Sequence, residues 1–133
     1  MSAASDFLEN KILDHIYGGP DYVRPATLYV ALYTSAPTDA GGGTEVAGGA
    51  YARAAVTNNA TNFPAAAAGS KTNGTVITYA QASAAWGSIV AFGIFDALTG
   101  GNLIVHNLLP SPKPTAINDT LSLPIGSLTL TAS

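Results

Sequence analysis

From Thr27 to Thr34 the sequence reads TLYVALYT, and its apolar side chains alternate: Leu28, Val30 and Leu32 on one side, Tyr29, Ala31 and Tyr33 on the other. A period of two is the mark of a strand with one face toward a core. The pattern recurs downstream in short runs separated by turn residues. Residues 51–57 place Ala52, Ala54 and Val56 opposite Tyr51, Arg53 and Ala55, and Asn73-Gly74 precedes a run over 75–79. WGSIVAFGIF, 86–95, is almost wholly apolar and suits the middle of a sheet. DALTGG, 96–101, is a turn, and NLIVHNL, 102–108, returns as its hairpin partner. PSPKP follows with three prolines, whose missing donors exclude a central strand. Two more short strands fit 119–124 and 127–131. The spacing predicts a mainly β fold, one β-sandwich or barrel-like domain covering 1–133, with about seven short strands in a body over 27–131.

The period is different only at the start. Leu8, Ile12 and Ile16 recur every fourth residue, Phe7 and Leu13 widen the stripe, and Gly18-Gly19-Pro20 stops it, so residues 1–17 read as one N-terminal α-helix. Ser5 or Ser2 suits the N-cap, Asp6 and Glu9 the positive dipole end, and His15 the last turn. A helix this short is marginal alone, so its apolar face requires a surface to dock on: a neighbouring molecule, or the open end of its own sheet.

Charge bears on what covers the exterior. Asp, Glu, Lys and Arg make only 10% of residues, against about 25% in ordinary soluble domains. Hydrophobic residues make 47% and mean hydropathy is +0.27. A surface of Ala, Gly, Ser, Thr and Asn can be removed from water against another protein with few ions to desolvate. That composition points to a permanent assembly. The net charge of −3 and pI near 5.0 argue against nucleic acid as partner. No apolar run approaches the roughly 20 residues that span a bilayer, and MSAASDFLEN lacks the basic start of a targeting signal. With no cysteine there are no disulfides or thiolate metal sites.

Reactive chemistry finds little support. The two histidines, His15 and His106, read as a helix-end and a sheet residue; Asp14 beside His15 points about 100° away on a helix. Two histidines and scattered acids do not make a zinc set. Asp39 and Glu45 flank Gly41-Gly42-Gly43 without the order of a calcium loop. Asp21, Asp96 and Asp119 sit at turns, where aspartate bonds its own backbone. No serine lies in a nucleophile elbow and no glycine run leads into a phosphate loop. The reading is no catalytic residue, no cofactor and no metal. Trp86, Tyr22, Tyr29, Tyr33, Tyr51 and Tyr79 admit carbohydrate binding, but such rings also fill cores and subunit interfaces.

Four stretches taken together carry a resemblance: LENKILDHIYGGPDYVRPATLYVALYTSAPTDAGGGTEV, GGAYARAAVTNNATNFPAAAAGSKTNGTVITY, WGSIVAFGIFDALTGGNLIV and NDTLSLPIGSLTLT. In order and over nearly the whole chain, they are similar to a family of small structural proteins of tailed bacteriophages and prophages, labelled tail-fibre-like or virion proteins. PSPKPT at 110–115 departs from that pattern in its proline content. The resemblance implies a non-enzymatic, multi-copy outer component of a phage particle, either a capsid decoration or cement protein or a tail-fibre-like subunit. It implies synthesis in the host bacterial cytoplasm and a place on the virion exterior. Its partners would be itself, as a homo-oligomer such as a trimer, and major capsid or tail proteins. A carbohydrate-binding module for host glycans is the rival reading.

Within that reading the expected interface residues are Phe7, Leu8, Ile12 and Ile16 on the helix, with Tyr51, Arg53 and Phe63 in the alanine-rich run AYARAAVTNNATNFPAAAAG. That run supplies shape: alanines for close approach, Asn58-Asn59 for tight turns and αL geometry, Phe63-Pro64 to pin a loop. Arg53 is its one charge, suited to stacking or to a fork with a carboxylate such as Glu45. Arg53→Ala is expected to weaken assembly more than folding.

Overall fold

The computed structural model of the chain describes residues 3–132. Its helix, α1, spans Asp6–Ile16. It starts later than the 1–17 reading because β1 (Ala3–Ala4) joins the sheet instead, pairing antiparallel with β8 (Leu103–Thr115). Ser5 makes the junction. Its hydroxyl accepts the Leu8 N–H at 3.2 Å as N-cap and donates to the Leu103 carbonyl, while its own N–H bonds Ile104 O at 2.8 Å. The alternative cap, Ser2, lies outside the described residues. At the other end Gly18 turns left-handed with φ 84°, and Gly19 N–H closes on Asp14 O at 2.7 Å.

The main sheet has six antiparallel strands. Its order is β1, β8, β7 (Gly87–Phe95), β2 (Thr27–Ser35), then β3 (Thr44–Glu45), with β4 (Ala54–Thr57) sharing the same edge of β2. The nearly continuous apolar strand does occupy the middle. Ile89, Ala91, Phe92 and Ile94 of β7 are buried, on both faces of the sheet. The alternation in TLYVALYT holds, with Val30 and Leu32 in the main core. Its other face is not open, however: Ala31 and Tyr33 join Ala91 in a second small buried cluster.

Two-stranded ribbons make the opposing layer: β6 (Ile77–Thr78) with β9 (Ser122–Leu123), and β5 (Ser70–Thr72) with β10 (Thr129–Thr131). Ile77, Leu121, Leu123 and Leu128 bring this layer onto Val30, Leu32, Phe92 and Val105 of the sheet. The architecture is mainly β and sandwich-like, with one N-terminal helix. No barrel closes among the described residues, since the sheet runs from β1 to β3 without rejoining.

Two boundaries differ from the sequence reading for physical reasons. The expected strands over 51–57 and 75–79 shrink to Ala54–Thr57 and Ile77–Thr78, because Tyr51 and Tyr79 turn their rings inward to other work. In contrast, β8 continues through all three prolines to Thr115. Beyond His106 its outer side has no partner strand, so prolines on alternate residues cost no ladder bond there. On the inner side the register against β7 jumps from Ala91↔Leu108 to Ile89↔Lys113, which leaves the intervening segment out of the ladder. The rule against a central proline strand stands; the segment is an edge.

Candidate functional site

Arg53, Glu45 and Tyr51 form the most elaborated polar cluster. Between β4 and β3 the edge of β2 runs without a strand partner, and side chains complete it. The Tyr51 hydroxyl accepts the Leu32 N–H at 3.0 Å and donates to Glu45 Oε2 at 2.7 Å. The Tyr79 hydroxyl donates to Val30 O at 2.8 Å. The two rings stack at 6.4 Å, and each meets Trp86 edge-on, at 5.5 and 6.5 Å. Arg53 takes Glu45 in a fork, Nε to Oε2 and Nη2 to Oε1, both at 2.9 Å. Its Nη1 donates to Ala97 O at 2.9 Å and Gly100 O at 2.8 Å, and the guanidinium lies 3.7 Å from the centre of the Phe95 ring.

Electrostatics follow from that geometry. Partial burial works against the Glu45 carboxylate, but the Arg53 and Tyr51 bonds and the Arg53 charge outweigh it and hold its pKa below the usual range. Arg53 is raised by its bond to Glu45. Burial, together with Glu45, pushes Tyr33 up to about 12 and raises Tyr51 further. Tyr79, burial foremost, is also raised well above its ordinary value. These phenols stay neutral donors.

Phe63 is buried in the core, its N–H bonded to Asn59 O at 2.9 Å. Asn59 Oδ1 takes the N–H groups of Thr61 and Asn62 at 3.1 and 2.9 Å, and Asn58 Nδ2 reaches Pro25 O at 2.9 Å. The asparagine pair therefore makes the tight turn, but the left-handed residues of the run are Ala50 and Ala68 (φ 66° and 53°), not Asn58 and Asn59. Tyr51, Arg53 and Phe63 all have their bonding inside the fold, so their bearing on an interface runs through the surface they support.

The helix residues are placed otherwise. Among the described residues of α1 none is buried. Phe7, Leu8 and Ile12 are half-covered, and Phe7 meets Tyr22 edge-on at 6.3 Å under the Lys11 ammonium at 5.6 Å. The C-terminal half opens to solvent: Leu13 is 53% exposed, Ile16 61% and Tyr17 76%, with Val23 at 83% just beyond.

The remaining titratable residues have local partners. His15 Nδ1 accepts the Tyr22 N–H at 3.0 Å, with Asp21 at 3.9 Å. Asp96 takes Asn102 through two bonds of 2.7 and 3.0 Å, and Asp119 takes the Ala116 N–H at 2.8 Å. Both are turn aspartates acting on their own loops. His106 Nε2 lies 2.8 Å from Asp39 Oδ1, a long-range pair that sequence spacing did not reveal. Carboxylate oxygens of Asp6, Glu9 and Asp39 come within 4.8 Å of one another where the Asp6 N–H meets Asp39 O. That cluster is at the surface, and one member is already held by His106. Glu45, the other acid flanking the glycine run, is engaged by Arg53 instead.

No helix among the described residues is long and apolar enough to cross a membrane. No curated protein matches the chain. Residues 3–131 match one family model, described as podophage GP4 fiber I protein gp80. With an arrangement of side chains that builds shape and a match spanning almost every residue, the chain belongs to this family of tailed-phage fibre proteins, structural components of the virion.

Proposed function

We propose that the chain is a non-enzymatic, multi-copy component of the exterior of the phage particle, held by the apolar face of α1. The observation that carries this is the helix itself: none of its residues is buried, and Leu13, Ile16 and Tyr17 form a stripe open to water. Covering one such side chain fully contributes about 1.5–3 kcal/mol, so one small stripe is a weak bond and several copies together a firm one. The exterior is poor in charge, which keeps the desolvation cost of contact low.

The first partner is a second copy of the chain, in a homo-oligomer such as a trimer; the mount is a tail or major capsid protein. The fibre description of the family favours the tail over capsid decoration or cement. The dispersed histidines, each with a local partner, support a role without turnover.

The test is particle composition. Phage carrying Leu13→Ser with Ile16→Ser should yield virions depleted of this protein, measured by quantitative mass spectrometry of purified particles. Wild-type copy number in those virions contradicts the docking role of α1. Labelled antibody on intact particles separates tail from head.

A further inference from the structure

The Arg53–Glu45 fork forms one wall of a cleft of about 320 Å³, which Tyr51, Ala52, Leu98 and Thr99 help to line. That volume falls at the small end of ligand sites. Donor counting shows what the fork leaves over. Arg53 uses Nε, both Nη1 hydrogens and one Nη2 hydrogen on Glu45, Ala97 O and Gly100 O. One Nη2 hydrogen remains, and Glu45 Oε1 has accepted only one bond. The Arg53 side chain is 7% exposed and that of Glu45 26%, so the acid edge of the fork is the more open one. Opposite stands Leu98, 51% exposed, an apolar side chain on a surface loop with nothing over it.

The geometry points to a binding site for a neutral saccharide in this cleft. The fork cancels its own charge, so it has little to offer a free ion. What it offers is an acceptor beside a donor, the pattern that adjacent sugar hydroxyls satisfy by donating to Glu45 Oε1 and accepting from Arg53 Nη2. The C–H face of the ring rests on Leu98, and the Thr99 hydroxyl adds a further polar contact. A single ring gains few bonds in so open a cleft, so its affinity is on the order of 1 mM. Binding by one isolated chain does not depend on docking through α1; only the avidity of many copies does.

The experiment is a titration of the isotope-labelled protein with glucose, galactose, rhamnose, N-acetylglucosamine and galacturonate, followed by amide chemical shifts. At least one neutral sugar should move Ala52, Leu98, Thr99 and Gly100 in a saturable manner. Ala52→Trp, at an exposed position, should fill the cleft and abolish the response; Leu13→Ser on the helix should leave it intact. If Ala52→Trp fails to fold, Thr99→Arg takes its place. No saturable shift with any neutral sugar overturns the assignment, as do shifts confined elsewhere, a response surviving the filled cleft, or a response to galacturonate alone.

Discussion

Arg53 grips Glu45 through two bonds of 2.9 Å while its Nη1 holds the Ala97 and Gly100 carbonyls, so one side chain ties three separate loops. Removing it leaves a half-buried carboxylate and two carbonyls without their donor. Breaking a buried pair from one side costs about 3–5 kcal/mol, and the partial opening of Glu45 puts this one near the lower figure. The sequence reading placed the effect of Arg53→Ala on assembly; the internal bonds place it on the fold. Arg53→Ala is expected to lower the denaturation midpoint of the isolated chain in urea. An unchanged midpoint contradicts the structural role.

Acid should weaken the same cluster. The Glu45 pKa is depressed in the fold, and so is that of Asp96, where the Asn102 bonds outweigh burial. A depressed acid contributes stability above its unfolded value, about 4.3 for Glu and 3.9 for Asp, and loses it as pH falls through the lower folded value. Chemical denaturation at successive pH values should show stability declining from about pH 4 downward. Glu45→Gln should have lower stability at neutral pH and a shallower acid decline.

Base acts on the phenols. Tyr33, pushed up to about 12, and Tyr51 and Tyr79, raised further, resist ionising inside the fold. A raised phenol contributes stability below its unfolded value near 10 and loses it as pH rises toward the folded value. Above about pH 10, tyrosinate absorbance should therefore rise together with loss of near-ultraviolet circular dichroism, as one cooperative step. Tyr51→Phe should shift that step and also orphan the Leu32 N–H, lowering stability by about 1–3 kcal/mol.

Asn73 tests the second layer. Its buried amide donates to Thr75 O and Pro124 O at 2.9 Å and accepts the Leu128 N–H at 3.0 Å, joining the chain before β6 to the segments on either side of Ile125-Gly126. Beside it, a Cβ on Gly74 would come within 2.9 Å of the Pro64 ring, so Phe63-Pro64 can pin its loop only against a glycine. Asn73→Ala strands several buried polar groups at about 1–3 kcal/mol each. It should lower stability by at least about 3 kcal/mol, read from urea denaturation. A loss below about 1 kcal/mol would mean that the amide holds nothing.

What the sequence disclosed follows from the range of the forces involved. Periodicity and caps are local, so α1 with Ser5 at its N-cap, the alternation of β2 and the central place of β7 were legible. The fork between Arg53 and Glu45 was legible as chemistry because the two residue types call for each other. The two tyrosine hydroxyls that complete the edge of β2 were not, since a ring in a strand pattern does not say which distant backbone group it will reach. Asp39 and His106, 67 positions apart, meet only through the fold. The proline strand was misjudged in extent because sequence does not say which side of a strand lacks a neighbour. The openness of α1 was left undecided for the same reason: a periodic stripe requires cover without naming it.

Sedimentation velocity on the purified chain, run beside the Leu13→Ser, Ile16→Ser variant with helix content checked by circular dichroism, tests the docking role of α1 most directly. The account predicts a wild type that associates with rising concentration and an equally folded variant that stays monomeric. A wild type that sediments as a lone chain at every concentration, or a variant that associates as strongly, contradicts it.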